Sequence, residues 1–128
     1  MNQTVSAPYR VSFNFKSGKV RIQRPILDVL GRPKFIKMLL APEEKLLYIV
    51  GIDEREKDCF PVPPDENMRH NGFVLHGQYF IKRISSIAGW ELDRSHLISG
   101  EYDAERRSIV FDLRHELLDA TEDTEQLM

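Results

Sequence analysis

Cysteine is almost missing from this chain: Cys59 is the single one among 128 residues. One thiol closes no internal disulfide and builds no cysteine-only zinc site, which excludes the disulfide-rich mini-protein and the zinc finger. It makes a reducing cytoplasm the expected compartment. Long apolar runs are missing too, since no window reaches the roughly 18 apolar residues of a membrane span. Met1–Ser6 lacks the basic-then-apolar pattern of a signal peptide. Catalytic signatures are equally scarce: there is no Gly-x-Ser-x-Gly, no phosphate-cradling glycine loop and no His-Glu-x-x-His. Cys59 and His70 make a poor nucleophile pair, because Cys59 stands beside Asp58 in acidic surroundings that disfavour a thiolate. Asp53, Glu54, Glu56 and Asp58 lack the glycine and terminal glutamate of a calcium loop. His70, His76, His96 and His115 hold no helical i, i+4 pair and read as surface residues. The chain is therefore expected to be non-enzymatic, with no cofactor and no metal.

What is present fits one globular domain over residues 1–128: 41% apolar and 30% charged residues. A net charge of −2 conceals a steep gradient. Residues 1–40 hold eight bases and one acid, residues 41–68 three bases and eight acids, and residues 115–128 no base and five acids. Arg10, Lys16, Lys19, Arg21 and Arg24 fall in a stretch with no acid at all. Such asymmetry points to an anionic partner for one face. Its bland counterpart is a basic segment lying against an acidic one in the fold.

Tyr9, Val11, Phe13 and Phe15 alternate with Arg10, Ser12 and Asn14, the period of a half-buried strand. Lys16-Ser17-Gly18 is turn chemistry and Lys19–Ile22 resumes the alternation, so a hairpin is expected. Pro25 suits the first turn of a short helix carrying Ile26, Val29 and Leu30, and Gly31 ends it. Phe35–Leu40 and Lys45–Ile52 read as two strands around Pro42-Glu43-Glu44. Residues 53–71, rich in proline and charge, read as a linker. Strands are expected over Gly72–Leu75 and Gln78–Phe80, a helix over Ile81–Ala88, and a last hairpin from His96–Glu101 and Ser108–Leu113. Residues 114–128 read as a frayed acidic tail. Trp90, beside Gly89, is expected as a lid on the core.

The two halves share an order of elements. Gly18, Ile22, Arg24 and Gly31 recur as Gly77, Ile81, Arg83 and Gly89, at offsets of 59 and then 58 residues. The expected fold class is mostly β with short helices: two ββαββ repeats, residues 9–52 and 72–113, forming one pseudo-dimeric barrel. The stretch from Gly18 to Gly31, followed by the acidic-Lys turn Glu43-Glu44-Lys45, resembles AbrB-type transition-state regulators. The related MraZ proteins carry two such units in one chain. The resemblance implies a swapped-hairpin β-barrel that binds double-stranded DNA as a bacterial transcription regulator and forms oligomers. Lys19 matches a family contact position with its charge. Leu27 and Asp28 stand where the family's helix carries arginines, Gln23 stands where it has proline, and Phe15 replaces the aspartate of the MraZ signature.

The candidate DNA-binding residues are Arg10, Lys16, Lys19, Arg21 and Arg24 in the first half and Lys82 and Arg83 in the second. Cations sharing one face of a hairpin neutralise phosphates and reach base edges in the major groove. The alternative is a non-catalytic interaction module, antitoxin-like or an adaptor, which kept the fold, lost DNA contact and binds a protein partner. The net negative charge and the acidic tail favour it.

Overall fold

In the computed structural model, which describes residues 9–68 and 72–117, the first alternating run forms β1 (Tyr9–Asn14) and β2 (Lys19–Gln23). They pair antiparallel with Phe13 opposite Val20 and Val11 opposite Ile22. All four of these side chains are buried. The chain then enters α1 (Arg24–Val29), with Pro25 in its first turn. Proline costs nothing there, because the first amides of a helix have no internal partner. Gly31, at φ +86°, lets the chain turn out of the helix.

Next come β3 (Phe35–Ala41) and β4 (Leu46–Ile52), a hairpin in register from Phe35–Ile52 to Ala41–Leu46. The 53–71 stretch is not a plain linker. It contains β5 (Cys59–Pro61), which pairs with β3, and a 3-10 turn at Asp65–Asn67. Proline density hid a strand of three residues, which is tolerated at a sheet edge.

The second half differs from the expected repeat. After β6 (Gly72–His76) the chain goes directly into α2 (Gln78–Ala88). Gln78–Phe80 is therefore helix, not strand. The alternation there is too short to outweigh the helical spacing of Ile81, Ile84 and Ile87. Gly89, at φ +75°, ends α2, and Ser85 O accepts the amides of Gly89 and Trp90 at 2.8 and 3.0 Å. The last hairpin is β7 (His96–Asp103) and β8 (Ser108–Leu117), longer than expected, so residues 114–117 belong to a strand. Residues 118–128 of the expected tail lie outside the described residues.

The eight strands form one antiparallel sheet in the order β5-β3-β4-β8-β7-β1-β2-β6. It curls into a nearly closed barrel around Phe13, Ile22, Ile36, Leu47, Ile49, Ile98, Ile109 and Phe111. Ile26 of α1 and Ile81 and Ile84 of α2 join this core. Gly100 permits the tight curl beside a break in the β7–β8 register, since a Cβ there would lie 2.7 Å from Val110 O.

The connectivity is two-fold related. Exchanging β1 with β5, β2 with β6, β3 with β7 and β4 with β8 carries each described ladder onto another or onto itself, with one exception. The image of β1–β2 would be β5–β6, and those two strands do not pair. Pro61 and Pro63 face β6 across a groove of about 450 Å³, and proline brings no amide to a ladder. The sequence register between halves is a different matter. Gly18 and Ile22 fall in a turn and in β2, whereas Gly77 and Ile81 flank and enter α2. Of the four recurring residues, Gly31 and Gly89 alone occupy matching places, each just past a helix.

Candidate nucleic-acid interface

The pleat of β1 and β2 decides which side chains face water. Val11, Phe13, Val20 and Ile22 point inward, so Arg10, Ser12, Asn14, Lys19, Arg21 and Gln23 point outward. The turn joining the strands is held twice. Asn14 Oδ1 accepts the Ser17 amide at 3.1 Å, and Gly18 O accepts the Gly77 amide at 3.0 Å. Gly18 sits at φ +69°, and a Cβ there would lie 2.7 Å from Gln78 Oε1. The first hairpin's turn is thereby seated on the start of α2.

This contact joins the two halves' cations. In the β2–β6 ladder, Lys19 lies opposite His76 and Arg21 opposite Val74. α2 buries Ile81, Ile84 and Ser85 and leaves Gln78, Tyr79, Lys82, Arg83 and Ser86 in solvent. Tyr79 is 82% exposed. Lys16, Lys19, Lys82 and Arg83 thus gather around one end of the barrel. Arg10 stands toward the opposite end of β1, beside Ser99 of β7. Arg10 and Arg21 are half-buried and engaged with neighbouring groups. Arg24 leaves the group: it reaches Asp65 Oδ2 at 3.6 Å, in a cluster with Arg32 and Asp28.

The composition of this surface is its main electrostatic feature. Residues 9–27 and 72–90 contain no aspartate or glutamate. They pack together through β2–β6 and carry all seven candidate residues. Among the described residues, Lys16, Lys19, Lys82 and Arg83 have no ion-pair partner.

Elsewhere some bases meet acids, while Lys34, Lys45, Arg55, Lys57 and Arg107 have no ion-pair partner among the described residues. Arg32 bonds Asp65 and Asp28, Lys37 Nζ lies 3.1 Å from Glu56, Arg106 lies 2.9 Å from Asp103, and Arg114 lies 2.9 Å from Asp112. The Arg114 guanidinium bonds the Asp112 carboxyl and pulls its pKa down to about 2. Arg106 acts on Asp103 in the same direction. Arg32, Arg94, Arg106 and Arg114 are held more firmly charged by their carboxylates.

His96 departs from the expected surface role and is fully buried. Its Nε2 donates to Glu91 O at 2.7 Å, and a proton lies between Nδ1 and Glu116 Oε2, 2.6 Å apart. Arg94 bonds the same carboxylate at 2.8 and 3.2 Å. Trp90 stacks on the His96 ring at 4.6 Å with 5° between planes, and it also meets Phe13 at 5.5 Å. Trp90 therefore caps the core, as its place after the helix suggested. Cys59 is half-buried in β5, with Sγ accepting the Glu56 amide at 3.4 Å. His76 and His115 are exposed, and His70 lies outside the described residues. No group of histidines, cysteines and carboxylates among the described residues is arranged to hold a metal ion. No described helix is long and apolar enough to cross a membrane.

Sequence reasoning missed His76, Gln78 and Tyr79 as parts of the surface. The helical spacing from Gln78 to Ser86 was the available signal, obscured by reading 78–80 as strand. Comparison with known protein families, with curated proteins and with solved structures finds no match.

Proposed function

We propose that this protein is a small DNA-binding transcription regulator of AbrB-like type, contacting the duplex through the end of the barrel built by the 15–18 turn and α2. One observation carries the reading. Four cations without a carboxylate partner among the described residues come from two segments, 9–27 and 72–90, that contain no aspartate or glutamate and are joined through the β2–β6 ladder. Folded proteins ordinarily intersperse both signs, and these two segments do not. Lysine and arginine in such a cluster displace counterions from phosphates. Backbone contacts of this kind position a protein, and side chains on an outward hairpin or helix then read base edges.

Fluorescence anisotropy with labelled duplex DNA across a salt series tests the reading. Binding is expected to weaken linearly on a log–log plot, and Lys19→Ala with Lys82→Ala is expected to reduce the slope by about two. Absence of binding at low salt, or a slope unmoved by these changes, rejects it.

A second reading, a protein-interaction module, is favoured by the outer face of the β3–β4 hairpin. Leu39, 45% exposed, lies opposite Tyr48 there, with Val50 beside them. Copurification from the native host of a partner whose retention fails with Leu39→Asp, combined with no DNA binding, supports that reading.

A further inference from the structure

We propose that the open edge of β6 takes up an extended segment of a partner protein as an added strand, the segment alternating apolar residues and carrying a carboxylate at one end. Such docking does not depend on whether the protein binds DNA.

The parity of the β2–β6 ladder identifies the open groups. Gly77 donates its amide to Gly18 O at 3.0 Å, in the same register that sets Lys19 opposite His76. Bonded and non-bonded pairs alternate along an antiparallel ladder. Val20–Leu75 and Ile22–Phe73 are therefore bonded pairs, and Gly72, Val74 and His76 turn their N–H and C=O away from β2. β6 is the last strand in the sheet order and pairs no further strand among the described residues.

The two edges of the sheet are guarded differently. Soluble proteins blunt an edge with shortness, proline, charge or a bulge. β5 has three residues and ends at Pro61, with Pro63 just beyond. β6 has five, Gly72-Phe73-Val74-Leu75-His76, with no proline, lysine or carboxylate and an unbroken register against β2. The near two-fold connectivity lacks one ladder, β5–β6, at this place. Val62 donates to Lys34 O at 2.9 Å, so by the same alternation Pro61 turns its carbonyl toward the groove and has no N–H to offer.

The groove selects the occupant. Pro61 and Pro63 stand across it from β6, and its volume is about 450 Å³. A second copy's β6 stands behind the same proline wall, so two barrels obstruct each other's edges, whereas a segment free of its own fold enters. Added antiparallel, alternate residues of that segment lie over Phe73 and Leu75, and the others face outward beside Val74 and His76. Arg21 and His76 line the groove, its lining holds no carboxylate, and Lys19 is opposite His76. Asp65 and Glu66 adjoin Asn67 of the lining, so the segment's carboxylate belongs opposite His76.

The test titrates the isotope-labelled full chain with the acetylated and amidated peptide Glu-Val-Thr-Val-Thr. The Val74 and His76 amides are expected to shift in a saturable way at up to about 5 mM peptide. Methylating the peptide nitrogen opposite Val74 is expected to weaken binding about 10-fold. Val74→Pro removes an N–H that β2 does not use, and is expected to weaken binding similarly while the Val11 and Phe13 amides keep their positions. In the free protein the Val74 amide is expected to exchange with solvent more than about 10-fold faster than those of Phe73 and Leu75. No shift at Val74 and His76, or equal binding of the methylated peptide, overturns the proposal. A Val74 amide that exchanges as slowly as Phe73 also overturns it: the chain itself then fills the edge, or a second copy does where the slowing appears only at high protein concentration.

Discussion

Two surfaces of this barrel handle charge in opposite ways. β1, β2, β6 and α2 carry bases and no acids of their own, and four of the cations on them and on the 15–18 turn have no ion-pair partner among the described residues. Near β3, the β7–β8 turn and the end of β8, four bases lie against carboxylates: Lys37 with Glu56, Arg106 with Asp103, Arg114 with Asp112 and Arg94 with Glu116. Each of these four pairs offsets its own charge, so little of its field reaches outward. Lys16, Lys19, Lys82 and Arg83 have no such offsetting pair among the described residues. The difference shows why a net charge of −2 says little about partners: the sign that matters is local.

Inverting the charge of one surface is the severest challenge to this contrast. Lys16→Glu, Lys19→Glu, Lys82→Glu and Arg83→Glu together are expected to lower affinity for duplex DNA by about 100-fold or more at low salt. On the paired surface, Arg106→Ala with Arg114→Ala is expected to change affinity by less than about 3-fold, because paired charges project little field. Equal losses from both sets, read by anisotropy, would erase the distinction.

Stability should show the reverse order. Glu116→Ala leaves a fully buried imidazole and Arg94 without their shared acceptor, and is expected to cost about 3 kcal/mol in urea unfolding. Lys19→Ala and Lys82→Ala, changing exposed groups, are expected to stay within about 0.5 kcal/mol of the parent. A Glu116→Ala variant as stable as the parent would show that the buried network adds nothing to folding.

The β2–β6 seam gives a smaller effect. A Cβ on Gly72 would lie 2.3 Å from Ile22 O in that ladder, and a ladder carbonyl cannot yield. Gly72→Ala is expected to cost about 2 kcal/mol and to lower the melting temperature. Because β2–β6 sets Lys19 beside His76, the same variant should also weaken DNA binding.

Acid should change the paired surface least of all. Asp112 is held at about 2 by Arg114, below its ordinary 3.8. A depressed carboxyl stabilises the fold above its unfolded pKa and loses that contribution as pH falls through its folded value. Stability is therefore expected to drop between about pH 4 and pH 2 by about 1 kcal/mol, solvent around the exposed partner Arg114 screening the rest. Asp112→Asn should flatten that part of the pH profile.

Local pattern carried much of the fold. Alternation over Tyr9–Phe15 and Lys19–Ile22, the proline at the start of α1 and the glycines after both helices each mark their element, because side-chain period and backbone freedom act within a few residues. β5 and the N-terminal turn of α2 were hidden. β5 exists because β3 offers it a ladder, and α2 begins at Gln78 because Gly77 is bonded to Gly18 across the molecule. His96 is the sharpest case: nothing near it in sequence signals burial, which comes from Trp90, Phe15 and Glu116.

Residue type and short-range spacing were enough to establish that the chain is β-rich, that its bases are concentrated early and that they stand apart from acids along the chain. Folding in three dimensions was needed to bring Lys82 and Arg83 to the surface of Lys16 and Lys19, and to draw Arg24 away to Asp65. Those neighbours meet through strand pairing across tens of residues, and charge acts through space rather than along the chain.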